Sequence, residues 1–125
     1  MSFTLHKQEI LRSKISIDQL FQKGMTFQNH PFRIIWLFCE EKTEFPTKVL
    51  FIVPKKLIPL ASNRNLIKRR MRESFRKNKL DLNSSLENNS RHIHVAILYN
   101  YNMVLDYTEI EKKIILSLSK LAIKV

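Results

Sequence analysis

Glycine is almost missing: the 125 residues contain one, Gly24. A phosphate-binding loop, a dinucleotide fingerprint and a collagen repeat each need several glycines, so all three are excluded. Cysteine also occurs once, as Cys39, which excludes an internal disulfide and a CxxC metal or redox pair. That usage fits a reducing compartment, and Cys39, at the end of the apolar run 34–38, reads as a small buried side chain. No apolar run approaches the ~20 residues that span a bilayer. The opening Met1-Ser2-Phe3-Thr4-Leu5-His6-Lys7 lacks a basic segment followed by an apolar core. No secretory signal is visible, and a soluble cytoplasmic protein is expected. Acids are scarce as well: 11 Asp and Glu stand against 22 Lys and Arg, a formal net charge of +11.

The surplus is concentrated. Residues 55–79 carry ten basic side chains and one acid, Glu73, for a net +9, while the rest of the chain is close to balanced. The length suits one domain with a real core, and no linker or internal repeat is visible. One domain over 1–125 is therefore expected.

Ser16 to Gly24 reads as a short helix, with Ile17, Leu20 and Phe21 at i, i+3, i+4 and Gly24 as its stop. Residues 31–39 and 48–53 read as strands that pair as a hairpin across a polar connection containing Glu40, Glu41 and Glu44. Alternation sends Phe32, Ile34, Trp36, Phe38, Val49, Phe51 and Val53 to the core. Arg33, Ile35, Leu37, Lys48, Leu50 and Ile52 then share a second, more open face. There is room for another short strand near 25–29. A long helix is expected from Leu60 or Ala61 to Lys79, a polar loop over 81–91, a strand over 93–99 and a terminal helix over 105–123. The order implies a small α+β sandwich.

On the long helix, Leu60, Ile67, Met71 and Phe75 form a narrow apolar stripe. Beside it wind Arg64, Lys68, Arg72, Arg76 and Lys79, with Asn65 and Arg69 on the same flank and no carboxylate among them. A solvated helix face normally mixes signs, because like charges one turn apart repel. Phosphates would relieve that repulsion, so nucleic acid is the favoured partner, with an anionic membrane surface or plain solvated surface as alternatives.

The same residues resemble a known family. Arg64-Asn65-Leu66-Ile67-Lys68-Arg69-Arg70-Met71-Arg72-Glu73-Ser74-Phe75-Arg76 is similar to the RN-x-x-KR-x-x-RE-x-x-R signature of the protein subunit of bacterial ribonuclease P. Phe51-Ile52-Val53-Pro54-Lys55-Lys56 resembles that family's strand ending in a basic pair, and Leu20-Phe21-Gln22-Lys23-Gly24 its first helix. The resemblance covers about residues 10–118. It implies an αβββαβα sandwich with a left-handed βαβ crossover, the ribosomal S5 domain 2-like fold. It also implies a protein cofactor of the ribonucleoprotein that removes the 5′ leader from precursor tRNA. The RNA subunit, with Mg²⁺ bound mainly by that RNA and the substrate, performs the hydrolysis; one protein per RNA is implied. By position, Lys55, Lys56, Arg64, Asn65, Lys68, Arg69, Arg72 and Arg76 would contact RNA. Ile17, Phe21 and Ile35 would line a leader groove, with Arg33 and Lys48 at its margin. Ile17 and Ile35 stand where many relatives place aromatics, so less base stacking is expected there.

No protein active site is legible. A nuclease needs a carboxylate cluster for metals or a His pair for acid–base work. The acids are scattered, with Asp106, Glu109 and Glu111 read as helix-start residues. His92 and His94 lie two apart on a strand without a further metal ligand, and His6 and His30 have no partners in sequence. No catalytic residue and no metal ligand is therefore assigned. A structural RNA-binding protein, ribosomal or assembly-related, remains the alternative that charge alone does not separate.

Overall fold

The computed structural model describes residues 4–40 and 43–125; Met1 to Phe3, and Glu41 and Lys42 of the predicted acidic connection, lie outside it. A 3-10 turn, Lys7–Glu9, leads into α1 (Lys14–Lys23), then β1 (Met25–Asn29), β2 (Phe32–Cys39) and β3 (Thr47–Ile52). The basic helix α2 (Ala61–Asn78) follows, then α3 (Leu80–Asn88), β4 (His92–Tyr99) and α4 (Tyr107–Lys124). The four strands form one sheet in the order β1-β2-β4-β3.

The predicted hairpin between residues 31–39 and 48–53 does not form. Strand β4 lies between β2 and β3, antiparallel to the first and parallel to the second. Burial explains the insertion: Ile93 to Ile97 is buried without interruption, so both faces of β4 need cover and the strand belongs in the middle of the sheet. The expected short strand near 25–29 is present as β1, antiparallel to β2.

The polar stretch over 81–91 is also not a loop. Residues Leu80–Asn88 are helical, and Leu82 and Leu86, one turn apart, are fully buried while Asp81, Ser84 and Glu87 face outwards. Two leucines at i, i+4 suffice to anchor a helix whose other positions are Asn and Ser.

The strand parity holds. Phe32, Ile34, Trp36, Val49, Phe51 and Val53 enter the main core with Ile67, Met71 and Phe75 of α2 and Ile110, Ile114, Leu118 and Leu121 of α4. Ile35 and Ala96 form a second, smaller cluster with Leu11 and Leu20, bordered by Ile17, Leu37, Leu50, Ile52 and Leu98. The sheet is thus covered by α2, α3 and α4 on one side and by α1 on the other. Cys39 is half-buried rather than buried.

Local chemistry sets the helix ends. Ser13, not Ser16, caps α1, its Oγ accepting from the Ser16 amide at 3.3 Å. Asp106 caps α4 and accepts from the Glu109 amide at 2.9 Å, so the acids there are helix-start residues, as expected. Gly24 ends α1 in an extended conformation, and what requires glycine is space. A Cβ there would stand 2.4 Å from the Leu20 carbonyl oxygen and 2.6 Å from the Ile35 side chain. On α2, Phe75 meets Phe51 edge-to-face at 5.7 Å. Replacing Phe75 with Leu keeps most of the volume but removes that ring pair. A loss of about 1 kcal/mol in urea unfolding is expected.

Candidate RNA interface

The basic helix is anchored by Ile67, Met71, Ser74 and Phe75, all buried. Leu60, expected on that stripe, instead precedes the helix and is 61% exposed. With the anchor fixed, helical periodicity decides which basic side chains reach solvent. Lys68, Arg69 and Arg72 are exposed, as is Asn65. Lys55 and Lys56 are exposed in the connection that follows β3. Among the described residues, no hydrogen bond or ion pair engages Lys55, Lys56, Lys68, Arg69 or Arg72. Their charges are uncompensated, and an anion brought to them displaces only water.

Other cations of the segment are occupied. Arg64 donates from Nη1 to the carbonyls of Ile58 at 3.0 Å and Pro59 at 2.7 Å, tying the connection after β3 to the first turn of α2. Substituting Arg64 would therefore disturb the loop that carries Lys55 and Lys56 as well as any RNA contact of its own. Arg76 forks onto the Glu73 carboxylate one turn earlier. That hydrogen bond holds the Glu73 carboxyl below its ordinary value and raises the Arg76 guanidinium. Arg70 donates to the Leu105 carbonyl, and Lys77 lies over the Tyr107 ring, so both serve the packing of α2 on α4. Burial and a hydrogen bond donated to Glu111 push the Tyr107 phenol up to about 12, so it remains a donor at neutral pH.

Lys79, placed by sequence on the basic flank, is not part of this face. It is 6% exposed and its ammonium donates to Glu9 Oε1 and to the Thr4 carbonyl, each at 2.7 Å. Glu9, 2% exposed, accepts from the His6 amide with its other oxygen.

The predicted groove residues separate into two groups around α1. Strand register arranges the α1 side of the sheet in rows: Arg33–Leu98–Ile52, Ile35–Ala96–Leu50 and Leu37–His94–Lys48. Helix α1 lies over the middle row, with Leu20 and Gly24 pointing down. Ile35 is 5% exposed and forms the floor beneath the helix. At 100° per residue, Ile17 and Phe21 occupy one flank of α1 and Ser16 the other. Ser16 shares a cleft with Lys48 and His94, so Ile17 and Phe21 overlook the Arg33 row. Phe21 is 46% exposed, and Leu98 and Ile52 of that row are half-buried. The chain leaves β3 at that same end of the sheet towards Lys55 and Lys56. Ile17, Phe21 and Arg33 thus lie to one side of α1, towards the end of the sheet from which the chain leaves for the basic loop, while Lys48 stands across the helix from them.

Among the described residues no three His, Cys, Asp or Glu side chains group as metal ligands. His92 faces the Thr43 carbonyl at 3.0 Å, and His94 is buried in the sheet.

A family model described as Ribonuclease P matches residues 5–122. A ribonuclease P protein component from Porphyromonas gingivalis is 29% identical over 121 residues, covering 97% of this chain and 88% of that protein. One from Chlorobium phaeobacteroides is 34% identical over 104 residues, covering 77% and 71%. The solved RNase P protein of Thermotoga maritima shares the fold with a TM-score of 0.71 at 20% identity, covering 90% of this chain and 96% of that one. The Staphylococcus aureus protein does so at 0.69, with the same identity and coverage. A basic helix of this signature on this sheet, matched over nearly its whole length, has one assignment: the chain belongs to the ribonuclease P protein family, the protein components of the endoribonuclease of tRNA 5′ processing.

Proposed function

We propose that the chain, as one RNA-binding domain over residues 1–125, holds the ribonuclease P RNA on α2 and guides the 5′ leader of precursor tRNA along α1. The observation that carries this reading is the set of exposed, unengaged cations Lys68, Arg69 and Arg72 on a helix whose opposite face is locked into the core. Lys55 and Lys56 link that face to the side of α1 where Ile17, Phe21 and Arg33 lie. A leader lying there meets apolar surface and one guanidinium, which suits loose holding of varied sequences rather than base-specific readout. The protein contributes position and charge neutralisation, which lets the RNA use Mg²⁺ at lower concentration. Hydrolysis belongs to the RNA. Magnesium belongs in this reading to the RNA subunit and the substrate, since the acids here serve elsewhere, Asp106 as a cap and Glu9 as the partner of Lys79. One protein per RNA in the cytoplasm completes the reading. Among the described residues no helix is long and apolar enough to cross a membrane.

The test is cleavage of precursor tRNA by the cognate ribonuclease P RNA at low Mg²⁺, with and without the protein. Leader removal is expected only when the protein is added, and Arg69→Ala should weaken the rescue without altering the circular dichroism spectrum. Tight binding to that RNA with no change in cleavage would sink this reading.

A further inference from the structure

On the flank of α1 turned away from Ile17 and Phe21, a cleft of about 530 Å³ lies between the N-terminal segment, the first turn of α1 and the start of β3. Among the described residues, Lys7 and Arg12 bring two exposed cations to it, with Lys48 and the Glu44 carboxylate also in its lining. Ser13 and Ser16 add two hydroxyls. Phe45 forms part of the wall, its ring stacked on His6 with centroids 5.0 Å apart. None of these residues lies on the signature helix, and they stand across α1 from Ile17, Phe21 and Arg33.

Cations beside an aromatic face are the pairing that single-stranded nucleic acid calls for, the backbone phosphate drawn to the charges and the base laid on the ring. A duplex keeps its bases stacked inside and offers none to Phe45. A neutral apolar ligand would have to desolvate Lys7 and Arg12 for no return. We propose that this cleft binds a nucleotide of single-stranded RNA, its phosphate between Arg12 and Lys7 and its base against the Phe45 ring. The inference rests on the RNA-binding reading above and adds a second single-strand site to it. RNA on this side of α1 is then held independently of RNA on the other side.

A titration of the full ¹⁵N-labelled chain with a uridine pentanucleotide, followed by NMR, tests it. The amide signals of Arg12, Ser13, Ser16 and Phe45 are expected to shift and saturate together. Phe45→Ala should weaken that binding about 5- to 100-fold with little change in salt dependence. Arg12→Gln, at an exposed position, should instead make the salt slope shallower by about 0.7. Shifts at Lys68, Arg69 and Arg72 report the signature helix separately. Shifts confined to that helix and the Phe21 flank would overturn the cleft and leave the RNA-binding reading standing. Unchanged affinity in both variants would overturn it as well, and no shift anywhere would overturn both.

Discussion

Replacing Lys79 with Met is expected to lower the stability of the free protein by about 3–5 kcal/mol, read as a fall in the urea midpoint at unchanged slope. The reason is what stays behind. The Glu9 carboxylate is 2% exposed, and without the ammonium it becomes an unpaired charge in a site that water does not reach. The Thr4 carbonyl loses the Lys79 ammonium in the same step. A domain of this size holds only about 5–15 kcal/mol in total, so a large share of its stability is at stake. The double variant Lys79→Met with Glu9→Leu should recover most of the loss, because removing both charges leaves nothing uncompensated. A single variant that costs under 1 kcal/mol would show the pair to be hydrated and the N-terminal segment loosely held.

The second large effect is on binding. Changing Lys68, Arg69 and Arg72 together to Gln should cut affinity for the ribonuclease P RNA by about two orders of magnitude or more. The slope of log affinity against log salt should become shallower by about 2 to 3, because each phosphate contact accounts for close to one released counterion. The melting temperature should hold or rise, since three like charges within two helical turns repel one another when no RNA is bound. An unchanged salt slope would mean that RNA lies on another face. Arg76 is left out of this set because Glu73 already holds its guanidinium, and Arg64 because it ties the loop at Ile58 and Pro59.

Features carried by local repetition were legible in the sequence. The apolar positions 67, 71 and 75 gave the helix its inward face, and strand alternation separated the two clusters, down to Ile35 and Leu50 on the α1 side. What escaped depends on partners far along the chain. Lys79 continues the spacing of the basic flank, and nothing near it in sequence indicates Glu9, 70 residues away. The hairpin was inferred from adjacency, whereas the place of β4 follows from burial on both of its faces. Helix α3 was hidden because Leu82 and Leu86 are its only buried residues in a run rich in Asn and Ser. At the interface the sequence named the cations but not which were already engaged. The position of Lys48 relative to Ile17 and Phe21 was likewise not legible, since one row of the sheet decides on which side of α1 it falls.

The strand order has a consequence for synthesis. A ribosome that has released residues up to 80 has delivered three strands and the entire signature helix. The strand that joins β2 to β3 is still to be made. Until residues 92–99 emerge, β3 has no partner strand beyond the single bridge from Ile10 to Val49, and the apolar stripe of α2 has no finished surface to lie on. The most cationic part of the chain is therefore exposed to cellular RNA before the domain can close. Closure waits for the last third of the chain.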